Sequence, residues 1–137
     1  MTAWNDGYLT EIAYPHHVHP ELSPGWLVAV LHALGQRAPR LDRAFRYCEL
    51  GCGQGLNSLL LAAANPAGHF LGVDFNARHI QHACQQAAAA GLGNLEFRQA
   101  SFAEVAAEEA EDDEEVPEPS SRRRARRVPT IRLNLRR

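Results

Sequence analysis

The chain has 137 residues, of which 45% are hydrophobic, and a formal net charge of −2. That length suits one domain, and the near-neutral balance gives no global attraction to nucleic acid or to an anionic membrane. The longest apolar run, residues 59–64, is far too short to span a bilayer, and the N-terminal "MTAWNDGYLTEIAY" lacks the basic and apolar regions of a signal peptide. Three cysteines, Cys48, Cys52 and Cys84, form neither a disulfide framework nor a pair of metal knuckles, so free thiols in the cytoplasm are expected and no metal site is.

Residues 1–24 are polar, aromatic and broken by Pro15, Pro20 and Pro24, which predicts an irregular segment. His16, His17 and His19 lie in it without ligand spacing and read as loop histidines. Ser23-Pro24 can cap and start a helix over 26–34, ended by Gly35. Trp26, Leu27, Val30, Leu31 and Leu34 have helical spacing, which predicts that they face the core. A loop over 38–45 leads to a short buried strand over 46–50. A helix over 56–64 follows and closes at Asn65-Pro66. A second strand covers 69–75 and a second amphipathic helix 76–91, with Asn76 as N-cap and Gly91 just past its end. His79 and His82 share one side of that helix and read as surface histidines. A third strand covers 94–100. The order βαβαβ predicts an α/β, Rossmann-like parallel sheet with right-handed crossovers.

The pattern stops there. Residues 104–137 carry 9 of the 16 acidic and 8 of the 14 basic residues, as an acidic block, a Pro/Ser break and an arginine block. Such a composition buries too little apolar area to offset chain entropy, so a disordered tail is expected, with a short helix at its alanine-rich start. "RRRARR" has the charge to contact phosphates, but the acidic block offsets it and no aromatics interleave. The chain therefore divides into a cofactor-binding unit, 1–105, and a low-complexity tail, 106–137.

Between the first strand and the next helix lies Glu49-Leu50-Gly51-Cys52-Gly53-Gln54-Gly55. Glycines permit positive φ and close approach of a ligand to the backbone, and a strand-to-helix loop aims N–H groups at an anion. A Walker loop is excluded, because no lysine exists in the chain. A dinucleotide fingerprint requires glycine at position 56, where the chain has Leu56. That weakens the alternative of an NAD(P)-dependent oxidoreductase. The third reading, Glu-x-Gly-x-Gly-x-Gly, resembles the first motif of class I S-adenosylmethionine-dependent methyltransferases. Asp74 ends the second strand nineteen residues beyond Gly55, where its two oxygens can accept from both hydroxyls of a ribose. That fits adenosine in either cofactor.

The likeness extends beyond one motif. "WNDGYLTEIAYPHHVHPELSPGWL", "YCELGCGQGLNSLLLAAANP", "FLGVDFNARHI" and "LEFRQASFAEV" together resemble bacterial class I methyltransferases of the type often joined to a methyltransferase regulatory domain. The resemblance spans about residues 4–105. It implies S-adenosylmethionine as cofactor, Glu49 near its amino group, and the backbone of Gly51, Cys52, Gly53 and Gly55 against its amino-acid part. It further implies Asp74 on the ribose, Phe75, Ser101 and Phe102 around the adenine, and, as the functional alternative to loop histidines, a mobile lid near the cofactor at His16, His17 and His19. Phe75 fits packing against helix residues as well, and Ser101 an ordinary strand-to-helix turn. A methyl acceptor is implied, but neither its class nor a catalytic base is specified. Full members continue into strands four to seven. Their absence after Val105 suggests a truncated or frameshifted product, either a cofactor-binding fragment or an inactive interaction module. It also predicts an open edge on the first strand, which a partner chain would complete.

Overall fold

A computed structural model describes residues 17–114 and 130–134. A 3₁₀ turn, Pro20–Leu22, leads into α1 (Pro24–Ala33). Then come β1 (Phe45–Leu50), α2 (Leu56–Ala64), β2 (Gly68–Asp74), α3 (Ala77–Ala90), β3 (Leu95–Gln99), α4 (Phe102–Glu114) and β4 (Thr130–Asn134). The sheet order is β3-β2-β1-β4, and every neighbouring pair is parallel. The expected βαβαβ unit is therefore present.

Local chemistry sets the element ends. The Ser23 hydroxyl accepts from Trp26 N, with Pro24 at the first helical position. Asn76 Oδ1 accepts from Arg78 N (3.0 Å) at the start of α3. Gly91, at φ +66°, takes the left-handed cap at its end. Ser101 and Glu104 form a reciprocal capping box on α4. Glu104 N donates to Ser101 Oγ (3.2 Å), and Ser101 N donates to Glu104 Oε2 (2.6 Å). Asn94 ties the opposite end of the sheet. Its side-chain amide donates to the carbonyls of Ala62, Asn65 and Gly68, where α2 ends and β2 begins.

β1 and β2 are buried along most of their length, as parallel strands covered on both faces must be. On one face Phe45, Tyr47 and Phe70 pack with Leu61 and Ala62 of α2, and Leu27 and Val28 of α1 join them. Beside them Phe97 meets Cys52 and the α3 residues Ile80, Ala83 and Ala87. On the other face Val105 of α4 packs with Cys48 and Val73.

Two expectations change. The β1 edge is not open: β4, in the tail expected to be disordered, pairs with it from Arg46↔Thr130 to Leu50↔Asn134, while the helix expected at the alanine-rich start of the tail is present as α4, which ends at Glu114. The remainder of the tail, 115–129 and 135–137, lies outside the described residues, as do residues 1–16. Secondly, α1 does not bury its whole apolar row. Trp26 is 59% and Leu34 67% exposed, and Val30 is exposed too. α1 is apolar around its circumference, but only the side carrying Leu27 and Val28 reaches the core.

The turn after β1 depends on missing side chains. Gly55 has φ +80°, and a Cβ there would lie 2.5 Å from the Phe97 ring and 2.7 Å from Ala83 Cβ. Gly53 has φ +56° with nothing within 4 Å of its Cβ position. Gly53→Ala therefore costs only the left-handed conformation, about 1–2 kcal/mol. Gly55→Ala adds overpacking of about 1–3 kcal/mol. Urea denaturation of the two variants should show Gly55→Ala to be clearly the less stable; equal losses would contradict this packing.

Candidate functional site

β1 and β2 end side by side, with Glu49 opposite Gly72 and Leu50 opposite Val73, so the acids Glu49 and Asp74 reach the same C-terminal edge of the sheet. Both are buried, at 2% and 6% exposure. The glycine turn lies between them, and Gly51 N and Cys52 N donate to Val73 O at 2.7 and 3.0 Å. Gly53 N donates to Asp74 Oδ2 (2.9 Å), and Gly55 N to Cys52 O (3.0 Å). These four donors are thus used within the fold. The turn is not the anion cradle that a strand-to-helix glycine loop suggests, and a pyrophosphate would have to compete for its N–H groups. What the turn offers is close approach, above all at the open Gly53 position.

Glu49 accepts from Ser58 Oγ (2.5 Å) and Asn57 Nδ2 (3.3 Å), both on the first turn of α2. Burial raises its carboxyl above the usual range. The Ser58 and Asn57 bonds and the nearby His19 pull it back down in part. Asp74 Oδ1 accepts from Asn76 N (2.8 Å) and lies 3.7 Å from His79 Nδ1. Each Asp74 oxygen accepts one backbone donor from the protein and keeps further lone-pair capacity. Two acceptor-only groups beside an open glycine suit a ligand that carries an ammonium group and paired hydroxyls.

The other predicted residues fall around this centre. Cys52 turns its side chain into the core, with Sγ 3.1 Å from the Cβ position of Gly72. Burial first, then Asp74 and Glu49, push its thiol far up, which keeps it neutral. Phe75, half-buried, follows β2, and its carbonyl accepts from Gln99 Nε2 (3.4 Å). Phe102 sets its ring 3.5 Å from the Cβ position of Gly51, so α4 begins against the turn. Ser101 is exposed and already engaged with Glu104.

Sequence reasoning missed three residues here. Asn57 and Ser58 are buried partners of Glu49; their i+8 and i+9 spacing across a strand, turn and helix carries no local signal. His79, expected on the surface, is 6% exposed against Asp74, because its position on α3 turns it toward the end of β2. His19 lies at the edge of the site, with its backbone N–H donating to Asn57 Oδ1 (3.1 Å). Among the described residues no group of three or more His, Cys, Asp or Glu could hold a metal ion, and no helix is long and apolar enough to cross a membrane.

A family model described as a methyltransferase domain matches residues 41–116, more than half of the chain. The chain belongs to that family. Among curated relatives it is 40% identical over 101 residues to the uncharacterized protein sll1526 of Synechocystis sp., which covers 74% of this chain and 20% of that protein. It is 30% identical over 95 residues to the uncharacterized protein RP789 of Rickettsia prowazekii, covering 69% and 17%. The chain thus spans about a fifth of the length of the curated relatives it matches. Among solved structures, PKMT2 from Rickettsia typhi in complex with AdoHcy matches with a TM-score of 0.62 and 27% identity, over 67% of this chain and 18% of that one. A second PKMT2 structure matches with a TM-score of 0.57 and 28% identity, over 61% and 16%. The methyltransferase resemblance and its Rossmann-like half-fold therefore hold. Nothing in these matches supports the nicotinamide alternative, and α2 starts at Leu56, the position where a dinucleotide fingerprint needs glycine.

The buried acid makes a stability prediction. A carboxyl whose pKa is raised by folding stabilises the fold while protonated, and this gain is lost as pH rises through the folded value. Wild-type stability should therefore carry a component that declines as pH rises from about 4 toward neutrality. Glu49→Gln should lack that component and match or exceed the wild type at pH 7. Melting temperatures from pH 4 to 8 would show it, and a variant less stable than wild type at pH 7 would contradict it.

Proposed function

We propose that this chain is the S-adenosylmethionine-binding part of a methyltransferase. The observation that carries the reading is the pair of buried acids, Glu49 and Asp74, at adjacent strand ends around a turn left open at Gly53. In this reading the ionised Glu49 receives the amino group of the cofactor, and the Gly51–Cys52–Gly53 backbone and Gly55 lie along its amino-acid part. Asp74 receives the ribose hydroxyls through its remaining lone pairs. Phe75 and Phe102 flank the adenine. Ser101, bound into the capping box, contributes at most the acceptor capacity that Glu104 leaves.

The bound cofactor supplies an electrophilic methyl group to a nucleophile approaching in line. The residues proposed here supply orientation rather than acid–base chemistry. Burial strengthens the interaction of Glu49 with an ammonium and selects for it, since a neutral ligand would leave the carboxylate uncompensated. The two PKMT2 structures, one of them with AdoHcy, support the cofactor class. Cys48 and Cys52, both buried and outside any disulfide, fit a cytoplasmic setting.

Isothermal titration calorimetry of the full chain should detect S-adenosylhomocysteine and not NADH. Glu49→Gln should weaken binding about 10–100-fold, the worth of a charge-assisted hydrogen bond of ~1.5–3 kcal/mol. A folded wild type that binds NADH but not S-adenosylhomocysteine would overturn the reading.

A further inference from the structure

We propose that Asn57 is a positioning residue that couples an amine ligand on Glu49 to the docking of residues 17–22 beside the site; the proposal rests on the function proposed above. Asn57 is 5% exposed and bonded at both ends of its side-chain amide. Its Nδ2 donates to Glu49 Oε1 (3.3 Å), and its Oδ1 accepts from the backbone N–H of His19 (3.1 Å). The His19 ring faces Glu21 Oε1 at 3.0 Å. Farther along the same segment, the buried Tyr47 hydroxyl donates to Leu22 O (2.9 Å). Among the described residues, segment 17–22 is thus held to the rest of the fold by these two polar contacts, one of which passes through Asn57 to Glu49.

The chemistry of an amide makes this a coupling. A primary amide has one donor end and one acceptor end, and an ionised carboxylate only accepts. While Glu49 is charged, the NH₂ of Asn57 must face it, and the oxygen must then face His19. Turned over, the amide would set oxygen against carboxylate and NH₂ against N–H, two repulsive contacts. A neutral Glu49 can instead donate to the Asn57 oxygen, and the His19 N–H then loses its acceptor. An ammonium ligand holds Glu49 in its charged form, fixes the amide and so secures segment 17–22. Linkage makes this reciprocal: loosening the segment weakens the ligand by the same factor.

Hydrogen exchange of the full chain, with and without S-adenosylhomocysteine, tests this. In the wild type, at a pH low enough for Glu49 to be protonated in the free chain, the ligand should slow exchange at the His19, Glu21 and Leu22 amides about tenfold, within the usual range of coupling between sites, and the slowing should shrink as pH rises. In Asn57→Ala that slowing should vanish, whereas a merely structural Asn57 would leave it in place. Tyr47→Phe removes the Leu22 anchor without touching either Glu49 partner. It should weaken the ligand about threefold or more by calorimetry, and this arm decides the matter if Asn57→Ala does not fold. Ligand binding with unchanged exchange at His19, or an unaltered affinity in Tyr47→Phe, overturns the coupling alone. A folded wild type that does not bind S-adenosylhomocysteine overturns the proposed function and the coupling together.

Discussion

The seating of the glycine turn depends on one aromatic ring. Phe97, on β3, fills the space left by two absent side chains: a Cβ on Gly72 would lie 2.6 Å from it, and one on Gly55 2.5 Å. Because both positions are glycine, the ring fits between β2 and the turn, and the turn comes down onto the strand ends. There Gly51 N and Cys52 N both reach Val73 O. The side chain of Cys52 then points into the same core as Phe97. Everything that follows at the site takes its position from this contact between the third strand and the first loop.

With the turn held this way, its donors close the structure, and the proposed recognition rests on two acids. Asp74 is both part of the scaffold, through Gly53 N and Asn76 N, and part of the proposed binding surface. Glu49 is a buried charge kept ionisable by Asn57 and Ser58. Such a group costs stability in the free protein and repays it only when a cation arrives, the usual relation between a functional site and the fold that carries it. An open Gly53 beside two acids is thus better matched to a cationic, hydroxyl-bearing ligand than to a phosphate.

Much of this could be read in the sequence, and the reasons are local. Asn76 and Gly91 bracket α3, Ser23-Pro24 starts α1, and three alternate glycines after an apolar strand mark the turn; each is a short-range rule of backbone geometry. What could not be read depends on distant partners. Helical spacing shows that Trp26, Val30 and Leu34 lie in a row, but not whether anything lies against that row. His79 looks like any polar helix residue until the end of β2 is set beside it. Asn57 and Ser58 gain their meaning only from Glu49, across the turn. β4 was hidden by composition: Ile131 and Leu133 alternate within only five residues amid arginines, and their pairing with β1 spans more than eighty residues of chain.

The central claim is that the edge formed by Glu49, the glycine turn and Asp74 binds S-adenosylmethionine and its product. The most direct measurement is an NMR titration of the ¹⁵N-labelled full chain with S-adenosylhomocysteine, following the backbone amides. The account predicts saturable shifts at Gly51, Cys52, Gly53 and Gly55, at Phe75 and Asn76, and at Phe102, with the α1 amides near Leu34 unmoved. Saturable shifts confined to surfaces away from that edge, or a well-dispersed spectrum that the ligand leaves unchanged, would contradict it.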